Sequence, residues 1–299
     1  MTGTRPRTFA ATLGLLALTA VWGSTFVLIK DVVGRMRVVD FLAVRFAVAA
    51  LAMLVLFARP VWRLPRGQVG RALLLGVVYG AAQLLQTWGL KLIAPSVSGF
   101  ATGMYVVFTP ILAWLLLRER VAGVVWLAVV LATGGLALLS LHGISVDPGV
   151  WLTLASAALY ALHIVGLGRW SREQDAVGMS AVQVVAIAVI CLLATAPRGP
   201  ALPPDGPAWL AVLYMALVAG AGAMLVQTWA QAHLPSARAA IVMTTEPVFA
   251  AGFAVALGVD APSWRMLAGG ALVLGAMYLV ELAPRPGVAL DAEARHHEV

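Results

Sequence analysis

A few ionisable side chains lie inside long apolar runs, and they are the first candidates for chemistry. Glu246 is an isolated carboxylate that directly precedes Pro247. A carboxylate inside a membrane needs a partner, a water-filled cavity or a function. Glu246 is therefore a candidate proton carrier or a counter-charge for a cationic substrate group. The alternative is a structural acid that accepts bonds from backbone donors beside Pro247 or pairs with an arginine.

Two arginines also interrupt apolar runs. Arg45 lies a few residues inside the second run, where it is a candidate for substrate or gate contact. The alternative for Arg45 is a structural ion pair with Asp40. Arg238 lies two helical turns before Glu246, so it is a candidate pathway residue, or a long side chain that reaches lipid headgroups.

Uncharged polar and aromatic side chains complete the candidate set. Gln83 and Gln86 share one helix face, where they can bond a substrate or a neighbouring helix. His163 is the only histidine inside an apolar run, and it either titrates near neutrality or forms an interhelical hydrogen bond. Five aromatic residues either line a cavity for apolar or cationic substrates or only pack: Trp22, Trp88, Trp229, Tyr105 and Tyr160.

The composition of the chain is that of a membrane protein. Of its 299 residues 62% are hydrophobic and 11% charged, and the mean hydropathy is +0.94. Soluble domains carry about 25% charged residues, so a soluble enzyme or a DNA-binding protein is excluded, and the net charge of +7 does not indicate a nucleic-acid partner. The sequence predicts an all-α integral protein of the lipid bilayer, with no metal and no cofactor.

Apolar runs separated by charged residues, proline and glycine predict ten transmembrane helices. The predicted bounds are 9–29, 40–58, 71–90, 96–117, 121–141, 149–168, 176–196, 208–230, 235–258 and 262–283. With the N-terminus inside, thirteen Lys and Arg residues lie in cytoplasmic segments and six in outer loops, which places both termini in the cytoplasm. The scarcity of lysine is typical of a GC-rich bacterium, so we expect the bacterial inner membrane. Residues 284–299 are predicted to be a loose cytoplasmic tail.

The second half of the chain repeats the first. Gln86-Thr87-Trp88 recurs as Gln227-Thr228-Trp229, and the proline at 110 recurs at 247. The repeats are predicted at 9–141 and 149–283, with five helices each. Because five is odd, the two halves run in opposite directions through the membrane, which predicts a substrate site between them near the midplane. Pro110 and Pro247 are predicted to be paired hinges.

Short motifs in both halves carry a family resemblance. They are Trp22-Gly23-Ser24-Thr25-Phe26, Arg45-Phe46, Gln86 to Lys91, Gly99 to Pro110, Leu117 to Arg120, Ser236 to Ala240, and Glu246 to Ala251. With these motifs in this order, the chain resembles the EamA-type drug/metabolite transporter family. The resemblance implies a ten-helix inner-membrane carrier for small organic metabolites, often an exporter of amino acids or toxic compounds. One departure is Leu257-Gly258-Val259-Asp260, where the family has an acidic Leu-Gly-Glu element.

The predicted function is a secondary transporter that exports a small organic metabolite, amino acid or drug-like compound by alternating access. A Walker A motif is missing from the sequence, so uphill movement would use an ion gradient, with protons as the candidate coupling ion. One alternative is a lipid- or signal-sensing membrane protein. A less favoured one is an intramembrane enzyme with a Ser24 and His163 dyad. Glycine pairs at 76 and 80 and at 99 and 103 predict close helix packing, within a monomer or a homodimer.

Overall fold

The computed structural model describes residues 4–118, 123–142, 145–170, 176–223, 226, 230, 242, 243 and 245–282. This part of the chain is helical apart from one small hairpin, in which β1 (Leu141–His142) pairs antiparallel with β2 (Ser145–Val146). Six helical stretches, of which Pro95–Leu116 is one, are long and apolar enough to cross a membrane, and four shorter apolar helical stretches accompany them. The all-α membrane architecture is confirmed, whereas the count of ten spans stays a prediction.

The described helices follow most of the predicted runs, whereas much of 224–244, in the predicted eighth and ninth runs, lies outside the described residues. Those of the first half are α1 (Thr4–Arg35), α2 (Val38–Trp62), α3 (Arg66–Leu92), α4 (Pro95–Gly103), α5 (Tyr105–Leu117) and α6 (Gly123–Ser140). Those of the second half are α7 (Pro148–Trp170), α8 (Ala176–Thr195), α9 (Gly206–Leu213), a π-helix (Tyr214–Gly222), α10 (Glu246–Ala256) and α11 (Trp264–Leu282). The predicted tail, 284–299, lies outside the described residues.

The predicted fourth span, 96–117, is divided into two helices. A turn at Met104, directly after Gly103, separates α4 from α5. Pro110 lies inside α5, whereas Pro247 is the second residue of α10, a position at which a missing N–H costs the helix nothing. The two prolines are equivalent in the repeat but occupy different helical positions, and their role as hinges stays a prediction.

The predicted eighth span, 208–230, begins as an ordinary helix and continues as a π-helix. The side chain of Asp205 caps α9, since its Oδ1 accepts a hydrogen bond from the Ala208 N–H at 2.8 Å. The nine residues directly after α9, Tyr214–Gly222, form the π-helix. Such wide turns are rare and are frequent at functional sites. Here the Ala219 carbonyl accepts a bond from Trp22 Nε1 at 3.0 Å, so the π-helix contacts α1.

Helix packing follows the repeat. The pairs α2 with α8, α6 with α11 and α4 with α10 pack together, and each joins elements at the same position in the two halves. Other pairs correspond when the halves are exchanged: α3 with α8 corresponds to α2 with the π-helix, and α5 with α7 corresponds to α1 with α10. The large contact of α3 with α7 corresponds to a much smaller one of α1 with the π-helix.

Small residues bring the halves close together. A Cβ at Gly99 would lie 2.7 Å from the Ala250 Cβ, one at Gly103 would lie 2.9 Å from the Pro247 Cγ, and one at Gly76 would lie 2.9 Å from a main-chain oxygen. Close packing at these three glycines is confirmed. A Cβ at Gly80 would meet only an ordinary contact, at 3.5 Å.

Candidate functional site

A chain of hydrogen bonds joins α7, α3 and α4 in the interior. Tyr160 Oη donates to Gln86 Oε1 at 2.8 Å, and Gln86 Nε2 donates to Thr102 Oγ1 at 3.0 Å. On the same face of α3, Gln83 Nε2 donates to Tyr79 Oη at 3.3 Å. Because buried polar groups are costly unless they are bonded, these contacts hold the three helices in a fixed register.

Aromatic contacts continue this chain of hydrogen bonds to α8. The Tyr79 ring meets the edges of the Tyr160 and His163 rings, with centroid separations of 5.2 and 5.0 Å. His163 Nε2 lies 2.6 Å from Gln183 Oε1, so the predicted interhelical hydrogen bond of His163 is present. Together these residues form the polar–aromatic cluster, defined as Tyr79, Gln83, Gln86, Thr102, Tyr160, His163 and Gln183.

Three members of the polar–aromatic cluster were not predicted as site residues from the sequence: Tyr79, Thr102 and Gln183. Tyr79 precedes Gln83 by four residues and Gln86 by seven, a spacing that places all three on one helix face. That spacing is a usable signal for Tyr79. Thr102 follows Gly99 on α4, and the sequence carries no comparable signal for its contact with Gln86.

Arg45 lies on α2, within electrostatic range of two tyrosines of the polar–aromatic cluster. Its side chain is buried, at 6% exposure, and its guanidinium carbon lies 5.2 Å from the Phe46 ring centroid and 5.9 Å from that of Phe41. The guanidinium is within electrostatic range of Tyr79 and Tyr160. Its Nε and Nη1 atoms have no hydrogen-bond partner in the described part of the chain.

The alternative pairing of Arg45 with Asp40 is wrong. Asp40 instead accepts from Arg37 Nε at 2.6 Å and from Arg37 Nη2 at 3.0 Å. Arg37 directly precedes α2 and lies three residues from Asp40, whereas Arg45 lies more than a turn further along and projects from another side of the helix.

Glu246 approaches the tyrosines from α10. It is the first residue of that helix, its side chain is half-buried, and it is within electrostatic range of Tyr79 and Tyr160. Among the described residues, no arginine forms an ion pair with it. The structure thus places one acid and one base, unpaired with each other, near the same two tyrosines.

The structure describes three of the other predicted site residues, Trp22, Trp88 and Tyr105. Trp22 bonds the π-helix as described above, and Tyr105 is buried at the start of α5. Trp88 is 42% exposed, because it lies two residues from Gln86 and so faces nearly the opposite side of α3. Arg238 and Trp229 lie outside the described residues.

The side chains that an intramembrane enzyme would use have other partners. Ser24 Oγ lies 2.7 Å from the Val21 carbonyl and 2.9 Å from Tyr214 Oη, while His163 bonds Gln183. The described residues contain no cluster of acids, histidines and cysteine that could hold a metal ion. The geometry therefore gives no support to the Ser24 and His163 dyad.

A second polar group lies where α1 ends, and we refer to it as the charged end. Arg35 Nη1 lies 2.5 Å from Asp205 Oδ2, Arg37 Nη2 donates to the Gly199 carbonyl at 3.2 Å, and Asp260 Oδ2 accepts from the Ser96 N–H at 3.0 Å. Each contact joins the first half of the chain to the second. Asp260, the acid of the Leu-Gly-Val-Asp element that departs from the family pattern, thus accepts a hydrogen bond at the start of α4.

Helix termini at the charged end are also satisfied. Lys30 Nζ donates to the carbonyls of Lys91 and Ile93, at 2.9 and 2.8 Å, where α3 ends. Asp147 Oδ1 accepts from the Gly149 N–H at 2.8 Å, where α7 begins. Backbone groups at helix ends lack intrahelical partners, so these side chains close this end of the bundle.

The contact of Asp205 with Arg35 should be insensitive to pH across the neutral range. The Ala208 N–H, and after it Arg35, hold the pKa of Asp205 below its ordinary value. A group with a lowered pKa loses its contribution to stability only as the pH falls through that lowered value.

Asp205→Asn keeps a good N-cap but removes the charge, and we expect roughly a two- to fivefold increase in hydrogen exchange over residues 199–210.

Asp205→Ala separates the two roles of that side chain. It removes the cap as well as the charge, so exchange at the start of α9 should rise further than in Asp205→Asn. Equal exchange in the wild type and Asp205→Asn at pH 7 would show that the ion pair does not hold the charged end closed.

Comparisons with known proteins agree with this architecture. The model of the EamA-like transporter family matches residues 9–141 and 147–282. A relative from Archaeoglobus fulgidus, named as an uncharacterized transporter, is 29% identical over 273 residues, which cover 91% of this chain and 86% of that protein. A solved structure that is 21% identical superposes with a TM-score of 0.65 over 90% of this chain and 96% of the other, which shows a shared fold.

Proposed function

Since the chain belongs to the EamA-like transporter family, we propose that this membrane transporter exports a small organic metabolite, an amino acid or a drug-like compound by alternating access. The observation that carries the proposal is the origin of the polar–aromatic cluster. Its side chains come from α3 and α4 of the first half and α7 and α8 of the second. A substrate held there contacts both halves, as alternating access requires.

We propose ten spans in two inverted halves as the framework for this movement. The repeated sequence motifs and the corresponding helix pairs support the proposal. The close approach of Gly99 and Gly103 to α10 puts small residues at the interface between the halves, where backbones can slide past one another. Pro110 in α5 and Pro247 in α10 are the proposed hinges.

The charged end is the proposed extracytoplasmic side of the bacterial inner membrane. Under the positive-inside rule, the end with six Lys and Arg residues faces outward and the end with thirteen faces the cytoplasm. Both termini are then cytoplasmic. In this orientation the contacts of Arg35, Arg37 and Asp260 join the halves on the outer side, so they have to break when the site opens outward.

Protons are the proposed coupling ion, and Glu246 is the proposed carrier. A carboxylate can bind and release a proton in each cycle. Glu246 is half-buried, lies near the tyrosines of the polar–aromatic cluster, and is free of arginine pairing within the described residues. A change of its charge would therefore change the electrostatic potential at the proposed substrate site.

The experiment that tests transport begins with binding. The purified protein is screened in detergent for thermal stabilisation by a metabolite and drug library at two pH values, because specific ligands raise apparent stability. Each ligand that stabilises is then measured for counterflow in proteoliposomes. We expect the stabilising ligands to exchange. Ligands that stabilise without counterflow would contradict transport and favour the sensing alternative.

A further inference from the structure

Within the described part of the chain, no acidic side chain forms an ion pair with the guanidinium of Arg45. It stays charged in proteins, and a charge inside the membrane is expensive unless it is paired or solvated. Asp40 is engaged by Arg37, and Glu246 forms no ion pair with an arginine of the described part. The guanidinium carbon lies over the rings of Phe46 and Phe41, 5.2 and 5.9 Å from their centroids, and such rings attract a cation but accept no ordinary hydrogen bond.

We propose that Arg45 binds the carboxylate of the transported substrate, and that the substrate class is a small organic monocarboxylate with an apolar body. The proposal rests on the proposed transport function. Nε and Nη1 of Arg45 are buried without hydrogen-bond partners among the described residues, and a planar guanidinium matches a carboxylate in geometry and charge. The rings of Phe41 and Phe46, which contact the guanidinium, and those of Tyr79 and Tyr160, which lie within its electrostatic range, would contact the apolar body.

The charge count favours a monoanion. Arg45 is the only cation that the described residues bring within range of Tyr79 and Tyr160. When Glu246 carries its proton, the one positive charge of Arg45 balances one carboxylate, whereas a phosphate ester would leave excess negative charge in a low-dielectric site. The substrate class is therefore a carboxylate rather than a phosphate.

The carboxylate subsite belongs to one half of the molecule. Gln183 occupies the position equivalent to Arg45 in the second half, 138 residues later. Its side chain is already used, since Oε1 lies 2.6 Å from His163 Nε2 and Nε2 donates to the Met179 carbonyl at 3.2 Å. The carboxylate end of the substrate therefore points to α2, and the apolar body lies toward α3 and α7.

The test compares matched ligands that differ only in charge. The probes are short- and medium-chain monocarboxylates and amino acids, each with its primary amide, and binding to the full-length protein in lipid nanodiscs is measured by thermal shift and titration. We expect a subset of the carboxylates to bind roughly ten- to a hundredfold more tightly than their amides. Equal binding of acids and amides, or no binding by any carboxylate, would overturn the proposal without the use of a variant.

Variants then assign the preference to Arg45. Arg45→Gln should abolish the preference for acid over amide, Arg45→Lys should keep part of it, and Arg66→Gln, which removes an exposed arginine at the start of α3, should change nothing. An unchanged preference in a folded Arg45→Gln would overturn the assignment. Counterflow separates the two proposals: carboxylates that bind through Arg45 but do not exchange contradict transport, and exchange of neutral or cationic ligands alone contradicts the carboxylate subsite.

Discussion

Gly23→Val should separate α1 from α10 and abolish transport. A Cβ at Gly23 would lie 2.5 Å from the Phe249 Cβ and 2.8 Å from the Ala250 backbone nitrogen. Backbone atoms cannot move aside as a flexible side chain can, so the two helices must part. Overpacking of this kind costs about 1–3 kcal/mol. The displaced helix also carries Glu246, one turn before Phe249, so we expect transport to fall to background in proteoliposomes and the thermal midpoint to drop.

Two glycines on the same helices provide matched controls. Gly34 on α1 and Gly252 on α10 have nothing within 4 Å of an added Cβ. Alanine at either position should be neutral or should stabilise the protein by about 0.5–1 kcal/mol, because glycine is a poor helix former. If Gly23→Val transported like these controls, the close approach of α1 to α10 would not be required for function.

The spans could be predicted from the sequence because their signal is local. Apolar runs of sufficient length gave bounds close to those of α2, α3, α7 and α8. The π-helix at Tyr214–Gly222 could not be predicted, because its turns have ordinary helix composition and one of its carbonyls is satisfied by Trp22, almost two hundred residues away. The break between α4 and α5 at Met104 could not be predicted either. The local sequence does not distinguish a break at Met104 from one at Pro110.

The candidate site was partly predictable for a different reason. Gln83, Gln86 and His163 stand out because polar groups are rare in apolar runs, whereas Tyr79 and Thr102 are common helix residues whose importance depends on their partners. The Asp40 pairing failed because Arg37, three residues before Asp40, takes that carboxylate, whereas Arg45 lies five residues after it. The bonds from Tyr160 to Gln86 and from His163 to Gln183 depend on packing between helices, which the order of the motifs did not specify.

Glu246→Gln should uncouple transport from the proton gradient. Glutamine keeps the size and much of the hydrogen bonding of glutamate but cannot bind or release a proton in the cycle. In proteoliposomes with an imposed pH gradient, we expect the gradient-driven accumulation of substrate to be lost. Counterflow at equal pH should continue, because exchange needs the substrate site and the movement of the halves but no net proton transfer. Glu246→Asp keeps an ionisable group one methylene shorter, so it should retain part of the pH-driven accumulation.

The pair of assays separates coupling by Glu246 from a structural role of the same side chain. A structural acid beside Pro247 would hold the first turn of α10 in place, and its loss would slow counterflow and accumulation alike. A proton carrier would affect accumulation alone. Retention of pH-driven accumulation in Glu246→Gln would contradict the role of Glu246 in coupling, and its position within electrostatic range of Tyr79 and Tyr160 would then indicate a counter-charge for the substrate. That outcome would also predict tighter binding of substrates that carry an amine as well as a carboxylate, because Arg45 and Glu246 lie unpaired near the same two tyrosines.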